Sequence, residues 1–213
     1  PENIDKMLKD YDLILRKKFS EHFNNDPEAF EKGKNYLSFS MANELTERFL
    51  KFEKKQLIEH NNKPVFIEAL EQEFHHTLEL EIAGKMRKIH LKGFADRIDS
   101  WDGKIRIVDY KTGKVSKEDV GKKVDGFDPS DPAGLFEMCK KSKHFFQLLV
   151  YNYLYFQKYQ IVPESSAIIS FVKLNDSPFN INLVQYDMET AIGLFPDVMQ
   201  FLLEEIYDVE VPF

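Results

Sequence analysis

Gly93-Phe94-Ala95-Asp96-Arg97-Ile98-Asp99-Ser100-Trp101-Asp102-Gly103-Lys104-Ile105-Arg106-Ile107-Val108-Asp109-Tyr110-Lys111-Thr112-Gly113 is the stretch on which the reading of this chain turns. Asp102-Gly103 is a strong hairpin signal, because a type I′ turn needs positive φ at both central residues and Asp-Gly supplies it at little cost. With those two as the loop, Trp101 faces Lys104. Counting outward then sets Ser100 against Ile105, Ile98 against Ile107 and Asp96 against Asp109. Carboxylates directly opposite one another, with Cβ atoms roughly 4.5 to 5.5 Å apart, destabilise a sheet unless a cation neutralises them. Lys111 shares the face of Asp109, since strand side chains alternate with period two.

Acids and an ammonium so arranged suit a divalent metal. Magnesium takes oxygen ligands and is typically held by one or two carboxylates plus substrate phosphate oxygens. Asp96 and Asp109 are therefore the predicted metal ligands, with Mg2+ or Mn2+ as the ion. Lys111 is the residue predicted to orient a water or to balance phosphate charge as it develops. The plainer reading is a surface hairpin whose Asp and Lys simply pair, and the opposing Asp96 argues against it. Ile98, Ile105 and Ile107 share the predicted face, and Lys88, His90 and Lys92 extend it along the middle strand, where a phosphate backbone could run. Ile89, Leu91 and Ala95 fall on the other face.

Working outward, Val65 to Ile82, Met86 to Ser100 and Lys104 to Lys111 read as three antiparallel strands joined at Ala83-Gly84 and Asp102-Gly103. Taking Ala83-Gly84 as a two-residue loop sets Glu71 opposite Asp96 as a third acid of the row, provided no bulge intervenes. Upstream, Ile4, Met7, Leu8, Tyr11, Leu15 and Phe19 recur at helical spacing until Asn24-Asn25-Asp26-Pro27 stops them. A second helical region runs from about Pro27 to Asn61, with Leu37, Met41, Leu45, Phe49, Phe52 and Leu57 on one broad face. Residues 1–62 thus form a helical region expected to pack on a core of residues 63–213.

Downstream, residues 114–143 carry Gly121, Gly126, Pro129, Pro132, Gly134 and many charges, and read as a mobile loop. His144 to Tyr159 is an aromatic-rich helix with Gln147, Tyr151 and Tyr155 on one stripe. Ala167 to Leu174 and Asn180 to Tyr186 are expected as strands, and Met188 to about Ile206 as a last helix.

Composition bounds the reading. The 213 residues are 43% hydrophobic and 31% charged, enough for one substantial core. No apolar run reaches the ~18 to 20 residues of a membrane span and no signal-peptide pattern opens the chain, so a cytoplasmic location is expected and no membrane partner. A chain that starts at Pro1 reads as a piece of a longer protein. The single cysteine, Cys139, rules out an internal disulfide and an iron–sulfur cluster held by this chain alone. Net charge is −7, which argues against a generally basic nucleic-acid binder. Yet twelve Lys/Arg, Lys88, Lys92 and Lys114 among them, face six Asp/Glu between Lys85 and Lys123, so positive charge gathers around the acid pair.

Three ordered motifs, Gly93-Phe-Ala-Asp96-Arg97-Ile98-Asp99, then Ile107-Val-Asp109-Tyr110-Lys111-Thr112-Gly113, then Gln147-x-x-x-Tyr151, resemble the nuclease domain of the RecB and AddB group of the PD-(D/E)XK superfamily. The resemblance covers about residues 65 to 160. It implies an α/β (α+β) fold with a restriction-endonuclease-like core: a helix, a three-stranded antiparallel meander, a helix and a further strand, here with extra N- and C-terminal helices. It further implies metal ligation by Asp96, Asp109 and the Tyr110 carbonyl, with Glu71 at the acidic position of the first strand. Catalysis would fall to Lys111, and support or DNA contact to Gln147 and Tyr151. Arg97 is expected to brace the site through an ion pair. The implied activity is that of a divalent-metal-dependent deoxyribonuclease, an exonuclease working in DNA end processing and recombinational repair beside a helicase subunit or helicase-like domain. The family's metal-binding histidine on the helix before the sheet has no counterpart within Gly33 to Phe49, where Asn43 stands near the expected place. A catalytically weakened DNA-binding or scaffold module of the same fold is thus the alternative.

Overall fold

The computed structural model describes residues 1–122, 125, 126, 128 and 130–208. Lys123, Pro129 and the last five residues, on which parts of the basic-cluster, loop and boundary readings rest, lie outside the described residues. Two compact units divide the chain, one running to Pro64 and the other starting at Val65.

In the first unit, α1 (Glu2–His22) and α2 (Gly33–Glu59) form an antiparallel pair. Phe19 meets Phe39 with ring centroids 5.1 Å apart, and Lys54 near the end of α2 reaches Asp5 at the start of α1 at 2.6 Å. Asn24 and Asn25 end α1, and Asn61 and Asn62 follow α2, all four in the left-handed backbone region that Asn tolerates better than most residues. The expected broad apolar face of α2 is only partly realised. Phe39 and Phe52 are buried, whereas Leu37 and Met41 are exposed. The residues expected to be helical from Pro27 form turns up to Gly33, because Phe30 folds back against Phe39 and Phe19.

The second unit is built on a five-stranded sheet ordered β1-β2-β3-β4-β5: β1 (Val65–Ile82), β2 (Lys85–Trp101), β3 (Lys104–Lys111), β4 (Ser165–Ser170) and β5 (Phe179–Asn180). The first three strands form an antiparallel meander, β4 joins β3 in parallel, and β5 pairs antiparallel to β4. This mixed architecture, with helices before and after the meander, is the restriction-endonuclease-like arrangement expected from the sequence. The Asp102-Gly103 turn sets Trp101 against Lys104, Ser100 against Ile105 and Ile98 against Ile107, as the turn chemistry requires.

Three helices accompany the sheet: α4 (Lys143–Tyr159) and α5 (Met188–Tyr207) pack on it, and α3 (Pro132–Lys141) packs on those two helices. The region expected to be a loop therefore contains a helix. Asp131 caps α3 by accepting from Ala133 N, Pro132 opens it, and Leu135, Met138 and Cys139 are buried. A short 3-10 turn, Lys117–Val120, precedes it. Gly121 follows that turn with φ 139°, and a Cβ there would lie 2.0 Å from Asn182 O. Close passage of the chain past Asn182, whose N–H donates to Val120 O, hence requires glycine. The last two strands are shorter than expected: Leu174 lies in a 3-10 turn and residues 181–186 are outside the sheet.

One irregularity shapes the site. Leu70 opposes Arg97 and Gln72 opposes Ala95, while Glu71 and Asp96 between them stand outside the ladder, and Glu71 has φ 50°. The core face of β2 changes parity here. Ile89, Leu91, Ala95 and then Ile98 all pack on the same core, although strict alternation would put Ile98 on the opposite face. Lys88, His90 and Lys92 accordingly lie opposite the face of Ile98, not on it as the sequence count had them. The register shift of the long hairpin occurs farther on, between Ile67 and Ala69, so Glu71 and Asp96 remain level in the count, although the two are not paired in the ladder.

Candidate active site

Asp109, Lys111, Gln147 and Tyr151 come together where α4 crosses the end of β3. Asp109 is 3% exposed. Its Oδ1 accepts from Gln147 Nε2 at 3.0 Å, and the same Nε2 lies 2.6 Å from the Tyr151 hydroxyl. Its Oδ2 forms an ion pair with Lys111 Nζ at 2.8 Å. Gln147 and Tyr151 meet because they are four residues apart on one helix. Asp109 and Lys111 meet because they are two apart on one strand.

Asp96 arrives by a different route from the one counted across the turn. The ladder between β2 and β3 stops at Arg97 and Val108, so Asp96 and Asp109 do not form a rung. Instead Asp96 Oδ2 accepts from the backbone N–H of Tyr110 at 2.7 Å, where a ladder hydrogen bond would otherwise come. The parity change at Asp96 leaves its carboxylate beside β3, next to Asp109. Ile105 and Lys111 turn their carbonyls to the β4 side, accepting from Glu164 N and Phe171 N at 2.9 Å each. By strand alternation the Tyr110 carbonyl faces the β2 side, beyond the last rung. Two carboxylates and a backbone carbonyl therefore border one spot.

The electrostatics fit a cation there. Burial pushes the Asp109 carboxyl above its usual range, and Asp96 adds to that rise while Lys111 opposes it. A hard divalent ion held by oxygen ligands would relieve both the burial cost and the repulsion. Asp96, Asp109 and the Tyr110 carbonyl are the groups that could hold a divalent metal ion here. Burial also raises the Tyr151 phenol, with Asp109 and Asp96 contributing, so it stays a neutral hydrogen-bonding group. Glu71 is exposed, and no group of three or more His, Cys, Asp and Glu able to hold a metal occurs among the described residues.

Behind the site, Asp99 is fully buried and takes a bidentate contact from Arg106, at 2.9 and 2.8 Å, and Arg97 Nε at 2.6 Å. Arg97 also donates to the Tyr110 hydroxyl at 3.2 Å. The expected bracing role of Arg97 thus has a concrete form, on the residue next to Asp96. His144 escaped the sequence reading. It sits one helical turn before Gln147 on α4, and its imidazole is pushed down chiefly by burial and then by Lys111. Its spacing of three residues before Gln147 was the available signal.

The basic residues expected to contact DNA are spread out. Lys92 borders a groove beside Gln147 and Tyr151, and in the free protein pairs with Glu73 at 2.6 Å. Lys88 stands farther along the hairpin, paired with Glu79 at 3.3 Å, and does not line that groove. Lys114 is exposed just past Gly113, whose carbonyl accepts from Ser170 Oγ at 2.7 Å. Cys139 is buried on α3 with its thiol pushed up to about 12, an inert packing group.

The family model of the PD-(D/E)XK nuclease superfamily matches residues 3–186, and the chain belongs to that superfamily. Its members are typically metal-dependent nucleases. No curated protein and no solved structure matches the chain. No helix among the described residues is long and apolar enough to cross a membrane.

Proposed function

We propose that this chain is a divalent-metal-dependent DNA nuclease module, and that Asp96, Asp109, the Tyr110 carbonyl and Lys111 form its reaction centre. The observation that carries this reading is the setting of Asp109: a buried carboxylate between the Lys111 ammonium and the Gln147 amide, with Asp96 held alongside through Tyr110 N–H. Bound Mg2+ or Mn2+ would polarise a phosphoryl oxygen and lower the pKa of a water. Gln147 fixes the Asp109 carboxylate and Tyr151 fixes Gln147, so the acid is oriented before substrate arrives. The Lys111 ammonium stands where negative charge would grow on the phosphorus oxygens in the transition state. Arg97 and Arg106 hold Asp99 on the opposite face and keep β2 and β3 in register behind the acids.

The motif resemblance supports a finer placement: an exonuclease of the RecB and AddB kind, acting in the cytoplasm on DNA ends during recombinational repair, beside a helicase subunit or a helicase-like part of its parent protein. The alternative, a DNA-binding or scaffold module with weakened catalysis, draws on the exposed Glu71 and on the absence of histidine between Gly33 and Phe49. Incubation with linear and closed circular DNA, in Mg2+, in Mn2+ and in chelator, separates the readings. Metal-dependent loss of linear DNA with circles spared supports an exonuclease, cutting of both supports an endonuclease, and binding without cutting favours the scaffold.

A further inference from the structure

β1 forms one edge of the sheet, and among the described residues β2 is its sole strand partner and no other backbone group bonds to it. Every second residue of β1 therefore turns its N–H and C=O outward, where an added strand could take them up. Ala95 and Ile98 face the core, and the Cβ position of Gly93 meets Leu154 and Tyr151 of α4, so Phe94, Arg97 and Asp99 lie on the far face of β2. Cross-strand partners share a face, which puts Ile67, opposite Asp99, and Leu70, opposite Arg97, there too. Leu70 is 65%, Ile67 51% and Phe94 48% exposed. An edge guarded only against aggregation carries charge or proline at its rim, whereas large apolar side chains there leave area that a partner would bury.

Charge selects the partner. Val65–Ile82 contains five glutamates and neither lysine nor arginine. Glu73 and Glu79 are balanced across the ladder by Lys92 and Lys88, while Glu71 stands exposed next to Leu70. Glu68 is also exposed and lies on the other face of the rim, where its carboxylate accepts from Ser100 Oγ. A phosphate backbone would meet this edge as like charge, and β1 of a second copy would set glutamate against glutamate. The register shift between Ile67 and Ala69 and the left-handed Glu71 also keep a long straight strand from lying flush. We propose that residues 65–72 of β1 take up a short extended segment of another protein, its apolar side chains on Ile67 and Leu70 and its alternate lysine or arginine side chains toward Glu68. Main-chain bonds hold the segment, and the period-two pattern of apolar and basic residues specifies it. This docking edge does not rest on the nuclease reading of the Asp109 centre.

Fluorescence anisotropy with a labelled peptide of alternating valine and lysine, and with its valine and glutamate counterpart, tests this apart from cleavage. The wild-type chain is expected to bind the lysine peptide saturably below about 1 mM. The glutamate peptide is expected to bind at least about tenfold more weakly, because like charges then face each other. Leu70→Ser, at an exposed side chain, is expected to weaken the lysine peptide by about fivefold or more, the apolar area at the rim being lost. Hydrogen exchange at the outward amides of residues 65–72 is expected to slow when the lysine peptide is bound. No binding below that limit, equal binding of the two peptides, binding undiminished in Leu70→Ser, or unchanged exchange at those amides would overturn the proposal. A wild-type dimer in sedimentation velocity that Leu70→Ser dissociates would overturn it too, by making a second copy the occupant.

Discussion

Gln147 on α4 donates its side-chain amide to Asp109 on β3 across 3.0 Å, so a helix surface sets the orientation of a buried strand carboxylate. Removing an outer partner of a metal ligand typically costs about 10- to 100-fold in metal affinity or activity. Gln147→Ala is expected to raise the Mn2+ concentration needed for half-maximal cleavage by roughly tenfold or more, with the thermal midpoint little changed. Tyr151→Phe, which removes only the hydroxyl bonded to Gln147, is expected to act in the same direction and less strongly. Unaltered metal dependence in both would show that the contact is structural only.

Gly93 sets how closely α4 lies on β2. Gly93→Ala puts a methyl group against the end of Leu154 and the ring of Tyr151. Overpacking of this kind costs typically about 1–3 kcal/mol. Because Tyr151 carries Gln147, activity is expected to fall further than stability does. Denaturant unfolding and cleavage rates measured on the same preparation check this, and a loss of stability without loss of rate would contradict it.

Asp99 is a buried charge balanced by two arginines. Asp99→Ala leaves Arg97 and Arg106 without their carboxylate at the centre of the sheet, and breaking a buried pair in this way costs on the order of 3–5 kcal/mol. The unfolding midpoint in urea is expected to drop accordingly. A change below about 1 kcal/mol would show that solvent reaches the arginines.

The opening hairpin was legible because its information is local. Turn chemistry at Asp102-Gly103 and the period-two pattern gave the three strands nearly to the residue, and with them Asp109 and Lys111. The approach of Gln147 and Tyr151 came from motif resemblance, since nothing in local periodicity says which strand end a helix crosses. What the residues did not reveal was the change of face at Asp96. Strict alternation put Lys88, His90 and Lys92 on the face of Ile98 and made Asp96 and Asp109 a rung, whereas the backbone breaks parity there and sends Asp96 to the Tyr110 amide. The left-handed φ of Glu71 carries no sequence signal, because Glu is not a residue that favours it. The helix Pro132–Lys141 was hidden by the glycines and prolines around it, although Asp131-Pro132 is a legitimate helix start.

The raised pKa of Asp109 carries a signed consequence for the metal-free protein. Burial raises its folded-state pKa above the unfolded value, so its charged form weakens the fold at neutral pH, and this penalty vanishes as pH falls through the folded pKa. Asp109→Asn is therefore expected to raise the thermal midpoint at pH 7 in chelator, with the gain shrinking as pH falls into the ordinary carboxylate range. Excess Mg2+ is expected to stabilise the wild type and not the variant. Calorimetry across pH, with and without metal, checks both statements, and a gain that grew on acidification would contradict the sign.

Single-turnover cleavage of end-labelled linear DNA in Mg2+ or Mn2+, run side by side for the wild-type chain, Asp109→Ala and Lys111→Ala, tests the central claim most directly. The expected result is metal-dependent cleavage by the wild type, abolished by chelator and lowered at least about a hundredfold in either variant, as loss of a key electrostatic group at a reaction centre commonly does. No cleavage by the wild type with either ion, or cleavage undiminished in both variants, would contradict the account.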